Sequence, residues 1–144
     1  MDLYFRKIIS WVLSETLEAS HVVKCIEKAK QSRHIENPLI FHCDRGCQYV
    51  SEAFHKATAG MIHSYSKKAY PWDNACIESF HALLKREWIN RFKIFNYTHA
   101  YKLIFEYIET FYNTVRIHSH CGYLSPNEYE EQYLKNLETD VTNL

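Results

Sequence analysis

The sequence is poor in the two residues that most often interrupt regular structure, with only three glycines and three prolines among 144 residues. This scarcity excludes a collagen-like or low-complexity chain and predicts a single domain rich in helices and strands. No apolar run approaches the length that spans a bilayer, and the first residues do not form a signal peptide. We therefore expect a cytoplasmic protein without membrane association.

The sequence also lacks the paired cysteines of a disulfide framework or a typical zinc site. Its five cysteines are an odd number, and none forms a CxxC pair, so we expect free thiols in a reducing compartment. His42, Cys43 and Cys47 lie close together in the sequence and leave zinc as an alternative. The second close pair of ligands that structural zinc sites need is missing, which disfavours it.

A net basic charge is absent as well, since the formal net charge is zero. The charges are nevertheless unevenly distributed. The stretch 67–93 has six basic and three acidic residues, and the stretch after Pro126 is mainly acidic. A basic middle permits a local nucleic-acid surface without a basic average. Ordinary solvated faces explain the same charges equally well.

Residue patterns in the first half alternate between strands and helices. In order, they predict a strand or two short strands over 3–13, a helix over 16–32 capped by Ser14 or Thr16, a break at Asn37-Pro38, a strand over 39–41, a helix from Ser51 to Ala59 ended by Gly60, and a strand over 61–65.

Helices dominate the patterns of the second half. We predict a loop over 67–72, a helix from Asp73 or Asn74 to about Asn90, a helix starting at Thr98 with an apolar stripe, and a helix from Pro126 to about Leu137. The stripe comprises Tyr101, Ile104, Phe105, Ile108, Phe111, Tyr112 and Val115. The predicted fold class is therefore α/β with a helical C-terminal end.

Two carboxylates stand where such folds often place chemistry. Asp44 follows a short apolar strand, and Glu78 lies near the start of a helix. Carboxylates on separate rigid elements can converge on Mg²⁺ or Mn²⁺, which prefer oxygen ligands. Two such ions can activate a hydroxyl and stabilise the leaving oxygen of a phosphodiester. Structural carboxylates with no catalytic role are the alternative for such a pair.

Two further residues share a helical face with Glu78. Lys85 lies two turns after Glu78, where its charge can hold a DNA phosphate. Asn74 lies one turn before Glu78 and can cap the helix or contact a substrate. A surface lysine and a capping asparagine are the simpler interpretations.

Several ordered motifs resemble a known family more specifically than these residues do alone. The segment His42-Cys43-Asp44-Arg45-Gly46-Cys47-Gln48-Tyr49-Val50-Ser51 resembles the second-aspartate motif of bacterial insertion-sequence transposases of the third family, the retroviral-integrase-like group. Asp73-Asn74-Ala75-Cys76-Ile77-Glu78-Ser79-Phe80 resembles its glutamate motif. Tyr112-Asn113-Thr114-Val115-Arg116-Ile117-His118 with Gly122-Tyr123-Leu124-Ser125-Pro126 resembles its C-terminal signature. The resemblance extends to about Tyr133.

This resemblance implies an RNase H-like fold and an Asp-Asp-Glu triad that binds two Mg²⁺ (or Mn²⁺) ions. It implies DNA strand cleavage and strand transfer in a multimer assembled on DNA. Asp44 is then the second triad member and metal ligand, and Glu78 the third. The residues we expect to contact DNA are Lys85, Asn74, Lys67, Lys68 and Arg116, with packing as the other role for Arg116.

The family's first aspartate has no match in the sequence. Residues Asp2 to Trp11 resemble the family segment that follows its first strand, and the first aspartate lies on that strand, before this segment. Asp2 matches a different aspartate of the family. We therefore expect an N-terminally truncated catalytic core over 1–137, followed by an acidic tail over 138–144. Loss of a central strand leaves sheet edges unpaired, so the chain alone is expected to be marginally folded and inactive.

Three functions follow from these observations. The first is a truncated transposase derived from a DNA-transposing enzyme, either a remnant or a fragment whose upstream half is encoded separately, which leaves its status as an enzyme open. The second is a non-catalytic module that binds DNA or pairs with full-length transposase and inhibits it. The third is an α/β domain with purely structural carboxylates.

Overall fold

The computed structural model describes residues 1–33, 35, 38–68 and 70–142. The chain divides into two compact units, one formed by Ile9–Glu78 and the other by Met1–Ile8 together with Ser79–Leu144. Asn37 of the predicted break lies outside the described residues, as does the end of the predicted acidic tail. Within the described ranges, no helix has the length and apolar character needed to cross a membrane.

The unit Ile9–Glu78 is built around a β–α–β arrangement. Helix α1 (Ala19–Ser32) precedes strand β1 (Ile40–Cys43), helix α2 (Glu52–Ala57) and strand β2 (Ile62–Tyr65). The strands pair in parallel, with Ile40 opposite Ile62 and Cys43 opposite Tyr65. Parallel neighbours need a crossover connection, which α2 supplies. The predicted α/β class and both strand positions are confirmed in this unit.

Phe54 on α2 is the centre of this unit's core and is fully buried. It packs with Ile26 of α1, Cys43 of β1 and Ala57 of α2. The Ser51 side chain caps α2 by accepting the Phe54 N–H at 3.2 Å, as predicted from a serine that precedes a short helix. The left-handed backbone of Gly60, with φ +85°, ends the turn after α2.

The prediction of strands over 3–13 is wrong. Residues 3–5 form a turn, and residues 6–14 have no regular secondary structure. The Asp2 carboxylate holds the turn by accepting the N–H groups of Tyr4 and Phe5, each at 2.9 Å. Aromatic and β-branched residues favour an extended backbone, but a strand also needs a hydrogen-bonded neighbour. The only sheet within the described ranges consists of β1 and β2.

The predicted cap of α1 is also wrong. This helix begins at Ala19, after Glu18, which makes no side-chain capping bond. Ser14 and Thr16 instead bond to each other, since the Ser14 hydroxyl accepts the Thr16 N–H at 3.0 Å and donates to the Thr16 carbonyl at 2.7 Å. Serine and threonine often satisfy nearby backbone groups in such local turns, in competition with helix capping.

The second unit is mainly helical, which confirms the helical C-terminal end. Helix α3 (Ala75–Glu87) starts in the first unit and ends in this one. Helix α4 (Tyr97–Phe105) continues as a π-helix over Glu106–Tyr112, and α5 spans Pro126–Thr142. Helix α3 stops at Glu87 rather than near Asn90. Helix α5 continues beyond Leu137, so the predicted tail is helical as far as Thr142.

The apolar stripe predicted for α4 is only partly correct. Ile108 and Tyr112 are buried, but Tyr101, Phe105 and Val115 are exposed. Leu103 and Tyr107 are buried in their place. The stripe assumed 3.6 residues per turn, whereas the π-helix bonds each N–H five residues back, as from Asn113 to the Ile108 carbonyl at 3.1 Å. From Glu106 onward, this wider turn changes which side chains face the core, whereas Tyr101, Leu103 and Phe105 lie before it in α4.

Candidate active site

Asp44 lies at the point where β1 ends. Cys43 is the buried last residue of the strand, and Asp44 after it is exposed. The Cys43 carbonyl accepts the N–H of Ser66, the residue after β2, at 2.9 Å. Because the two strands are parallel and in register, both end at the same edge of the sheet. The Asp44 carboxylate therefore leaves a fixed strand end and reaches solvent.

A tight turn holds the Asp44 side chain in place. Its Oδ1 accepts the Gly46 N–H at 2.9 Å, the pattern of an Asx turn. A Cβ atom added at Gly46 would lie 3.0 Å from Asp44 Oδ1 and 2.8 Å from Gln48 Oε1. The φ of Gly46, −58°, is open to any residue, so a side chain here would mainly require the flexible end of Gln48 to shift. The Asp-Arg-Gly sequence thus fixes one carboxylate oxygen and leaves the other available.

The Asp44 charge influences two neighbouring side chains. Burial, and then the charge of Asp44, raises the pKa of the Cys43 thiol to about 11. Burial and then Asp44 also raise the pKa of Tyr49. Both groups consequently stay neutral near pH 7.

His42 is engaged across the two strands. Its Nδ1 lies 2.9 Å from Ser64 Oγ and its Nε2 lies 3.1 Å from Ser66 Oγ. Both ring nitrogens thus have hydroxyl partners, and His42 connects β1 to Ser64 on β2 and to Ser66 just after it. Among the residues that the structure describes, no three His, Cys, Asp or Glu side chains form a group able to hold a metal ion. Zinc at His42, Cys43 and Cys47 finds no support.

Glu78 is reached from the end of β2 through a closed loop. The Asp73 carboxylate accepts the Lys67 N–H at 2.8 Å, which joins the two ends of the loop. A 3₁₀-helix over Pro71–Asn74 follows and leads into α3. We expected Asp73 or Asn74 to cap α3. Asp73 instead closes the loop through its bond to Lys67. Glu78 is exposed in the first turn of α3, where the helix dipole favours a negative charge.

The residues expected to contact DNA fall in both units. Lys67 and Lys68 follow β2 and are exposed, and Asn74 is half-buried at the end of the 3₁₀-helix. Lys85 is exposed on α3, two turns after Glu78 along the same helix. DNA contact by these residues stays a prediction.

Arg116 has a specific partner that the sequence did not reveal. Its Nε and one terminal nitrogen donate to the two Glu87 oxygens at 2.8 and 2.7 Å. The Tyr107 hydroxyl donates to Glu87 Oε2 at 2.8 Å. The Arg116 hydrogen bond, opposed by burial and aided by Tyr107, lowers the pKa of Glu87. This geometry supplies the packing role for Arg116, and its DNA contact stays a prediction.

Comparison with known proteins identifies the class of domain. Two protein-family models, both described as integrase core domain, match residues 1–71 and 59–126. The chain therefore belongs to the integrase core domain family. This family implies an RNase H-like fold, of which the described sheet contains two parallel strands.

Curated relatives are insertion-sequence proteins. The transposase for insertion sequence element IS904 of Lactococcus lactis subsp. lactis is 39% identical over 133 residues, covering 91% of this chain and 53% of the relative. The transposase InsF for insertion sequence IS3A of Escherichia coli is 35% identical over 136 residues, covering 93% of this chain and 47% of the relative. The chain spans about half the length of these relatives. The expected resemblance to insertion-sequence transposases is confirmed.

Proposed function

We propose that this chain is the part of a transposase core that carries the second and third carboxylates of an Asp-Asp-Glu triad, Asp44 and Glu78. One observation carries the proposal. Two parallel strands end at one edge, and Asp44 directly follows one of them while the other leads through a short closed loop to Glu78. Both residues are exposed and belong to the same compact unit.

The two carboxylates fit a divalent metal ion as part of its ligand set. Oxygen ligands on rigid elements suit Mg²⁺ or Mn²⁺, and Asp44 keeps one oxygen outside its turn. When bound, such ions supply the charge that activates a hydroxyl and stabilises the leaving oxygen of a phosphodiester. No third carboxylate joins Asp44 and Glu78 in the part of the chain that the structure describes.

The chain's own residues position these carboxylates and the DNA. The Gly46 N–H orients Asp44, and the first turn of α3 orients Glu78. Lys67, Lys68, Lys85 and Asn74 are the proposed contacts to the DNA. The reaction is cleavage and transfer of a DNA strand within a multimer. A third carboxylate from outside these 144 residues completes the triad, so the chain alone does not cleave DNA.

Manganese broadening of amide NMR signals tests the two ligands even when affinity is weak. In the purified chain we expect Mn²⁺ to broaden the signals around Asp44 and Glu78 first. Asp44→Asn and Glu78→Gln should each require at least about tenfold more Mn²⁺ for equal broadening, the loss of one charged ligand. Glu52→Gln is the matched control, since Glu52 is an exposed carboxylate of the same unit. Equal broadening in all four proteins contradicts the assignment.

A plasmid-nicking assay tests the rest of the proposal. The chain with Mg²⁺ or Mn²⁺ should leave supercoiled DNA intact. Cleavage should appear when a segment bearing the first aspartate is added, and Asp44→Asn should abolish it. Nicking by the chain alone contradicts the need for a third carboxylate. Salt-dependent DNA binding without any cleavage, even after addition, favours the second candidate, a non-catalytic DNA-binding or transposase-pairing module.

A further inference from the structure

The segment 89–105 combines cations and aromatic rings without a single acidic residue. Its charged side chains are Arg91, Lys93 and Lys102. Exposed rings lie between them in the sequence. We name this region the aromatic–basic surface, and define it by Arg91, Lys93, Phe95, Tyr97, Tyr101 and Lys102. It lies wholly within the unit that contains α4.

The rings of this surface are strongly exposed. Phe95 is 73% exposed, Tyr97 45% and Tyr101 40%. They do not form the core face of α4, since Leu103 is the buried residue of this helix. Tyr97 and Tyr101 are one helical turn apart and so lie on the same side of the helix. Helix α4 thus has an apolar face towards its core and an additional aromatic face towards solvent.

Neighbouring rings limit the freedom of these side chains. The Phe95 ring stacks on His99 with 5.2 Å between centroids and 14° between planes. The Tyr97 and Tyr101 rings lie 6.4 Å apart at 30°. The Asn96 side chain caps α4 by accepting the His99 N–H at 2.8 Å, which fixes the backbone between Phe95 and Tyr97. The rings are therefore presented on an ordered helix start.

The charges around the rings remain accessible. Arg91 and Lys93 are exposed. Lys102 is 73% exposed at its side chain and meets Glu106 at 3.9 Å, a surface ion pair too long and too solvated to neutralise it. Exposed rings that alternate with cations along one segment match a single strand, because unpaired bases stack on rings while phosphates meet the cations. A duplex keeps its base faces internal and gives the rings nothing to stack on.

We propose that the aromatic–basic surface binds an unpaired segment of DNA through base stacking on Phe95, Tyr97 and Tyr101. The choice of DNA as the polyanion rests on the proposed function. The stacking itself does not depend on Asp44, Glu78 or any metal ion. The cations attract single and double strands alike, whereas the rings select the single strand.

Fluorescence anisotropy with the full chain tests this inference. The probes are a labelled oligothymidine of about 12 nucleotides, within the site sizes of single-strand binders, and a duplex of equal length. Phe95→Ala should weaken binding of the single strand about tenfold, the size of one base–ring stack, and leave the duplex unchanged. Phe95→Tyr should restore single-strand binding. Lys93→Gln should weaken the binding of both probes and reduce the salt dependence of that binding.

Tyr123→Ala is the matched control, because Tyr123 is 70% exposed in the same unit but outside the surface. It should bind both probes as the parent does. Three results overturn the inference: a parent that does not bind the single strand, Phe95→Ala that binds it normally, or Phe95→Ala that only converts a dimer to a monomer in sedimentation. The last result assigns the surface to a second copy of the chain. Failure of metal binding or DNA cleavage leaves this readout intact, so the two proposals fail separately.

Discussion

His118 is a half-buried histidine kept in its neutral form. Its ring meets Tyr112 edge to face, with 4.9 Å between centroids. Burial, and then the positive charge of Arg116, lowers the pKa of His118 to about 4, although Glu87 opposes the shift. Between about pH 6.5 and pH 4, His118 therefore binds a proton in the unfolded chain but stays neutral in the folded chain. The stabilising contribution is complete above pH 6.5 and is lost as the pH falls through this window.

We predict that His118→Gln reduces the dependence of stability on pH. The parent should lose more unfolding free energy than the variant between pH 7 and pH 5, a range that stays above the ordinary pKa of glutamate. Urea unfolding followed by circular dichroism at the two pH values gives the comparison. His21→Gln is the control, because His21 lies in the other unit. The same slope in parent and His118→Gln contradicts the prediction.

At this scale the sequence shows local motifs but not long-range partners. The role of Asp44 and Glu78 as metal ligands stays a prediction, and only the motifs around them were recognisable. The partner of Arg116 was not, because Glu87 is distant in sequence and lies among basic residues that suggested a DNA surface. A bidentate ion pair depends on how two elements pack, and no spacing along the chain encodes it.

Among the elements, the π-helix after α4 leads directly to a polar clamp. Asn113 follows it, is 4% exposed, and hydrogen-bonds the Ile8 backbone twice. Its Oδ1 accepts the Ile8 N–H at 3.0 Å and its Nδ2 donates to the Ile8 carbonyl at 3.0 Å. The side chain thus does for Ile8 what a neighbouring strand would do. It fastens the segment Met1–Ile8 to the helices of its own unit.

Asn113→Ala should destabilise the protein by about 3 kcal/mol, because it leaves two buried backbone groups without partners. Chemical denaturation monitored by fluorescence measures this loss. Asn90→Ala, at an exposed asparagine of the same unit, should change the unfolding free energy by less than about 0.5 kcal/mol. A loss of similar size in both variants would show that the Asn113 hydrogen bonds to Ile8 contribute no particular stability.

Local capping signals predicted α2 and α5 but not α1, and long-range pairing was not predicted. At α5, Ser125 and Glu128 form a reciprocal cap. The Ser125 hydroxyl and N–H donate to Glu128 Oε2 at 2.7 and 2.8 Å, and the Ser125 hydroxyl oxygen accepts the Glu128 N–H at 3.4 Å. Residues 3–13 show the opposite case. They have high β-propensity, but no neighbouring strand pairs with them in the described structure. The π-helix could not be predicted from the sequence either, because its residues also suit an α-helix.

For the whole molecule, the division into two units was not foreseen. The sequence predicted one core over 1–137, and the domain boundary at 137 stays a prediction. The structure gives each unit its own buried residues, Phe54 among them in one and Tyr107 and Tyr112 in the other. The boundary at Glu78 falls inside the continuous helix α3. No loop, glycine or proline marks it in the sequence. Units defined by contacts need not follow breaks in the sequence.

We expect a core substitution in one unit to act mainly on that unit. Phe54→Ala removes a ring that meets Phe41, Tyr49 and His63 at centroid distances of 5.5, 5.6 and 5.4 Å. Its cost is about 3–5 kcal/mol. Hydrogen exchange should show lost protection concentrated in residues 9–78.

Tyr112→Ala is the matched change in the other unit, and it should reverse the pattern. Uniform loss of protection along the chain in both variants would mean that the units open together. The comparison needs no DNA and no metal ion, so it reports on folding alone.

The turn between Asp44 and Gly46 has a consequence for affinity. A free aspartate samples several rotamers, and fixing a side chain on binding costs on the order of 0.5–1.5 kcal/mol. The Gly46 N–H already holds Asp44 Oδ1 at 2.9 Å, so much of that entropy is lost during folding rather than on ligand capture. If Asp44 is a metal ligand as proposed, the cation meets a preorganised carboxylate, and its affinity depends on the rigidity of a three-residue loop.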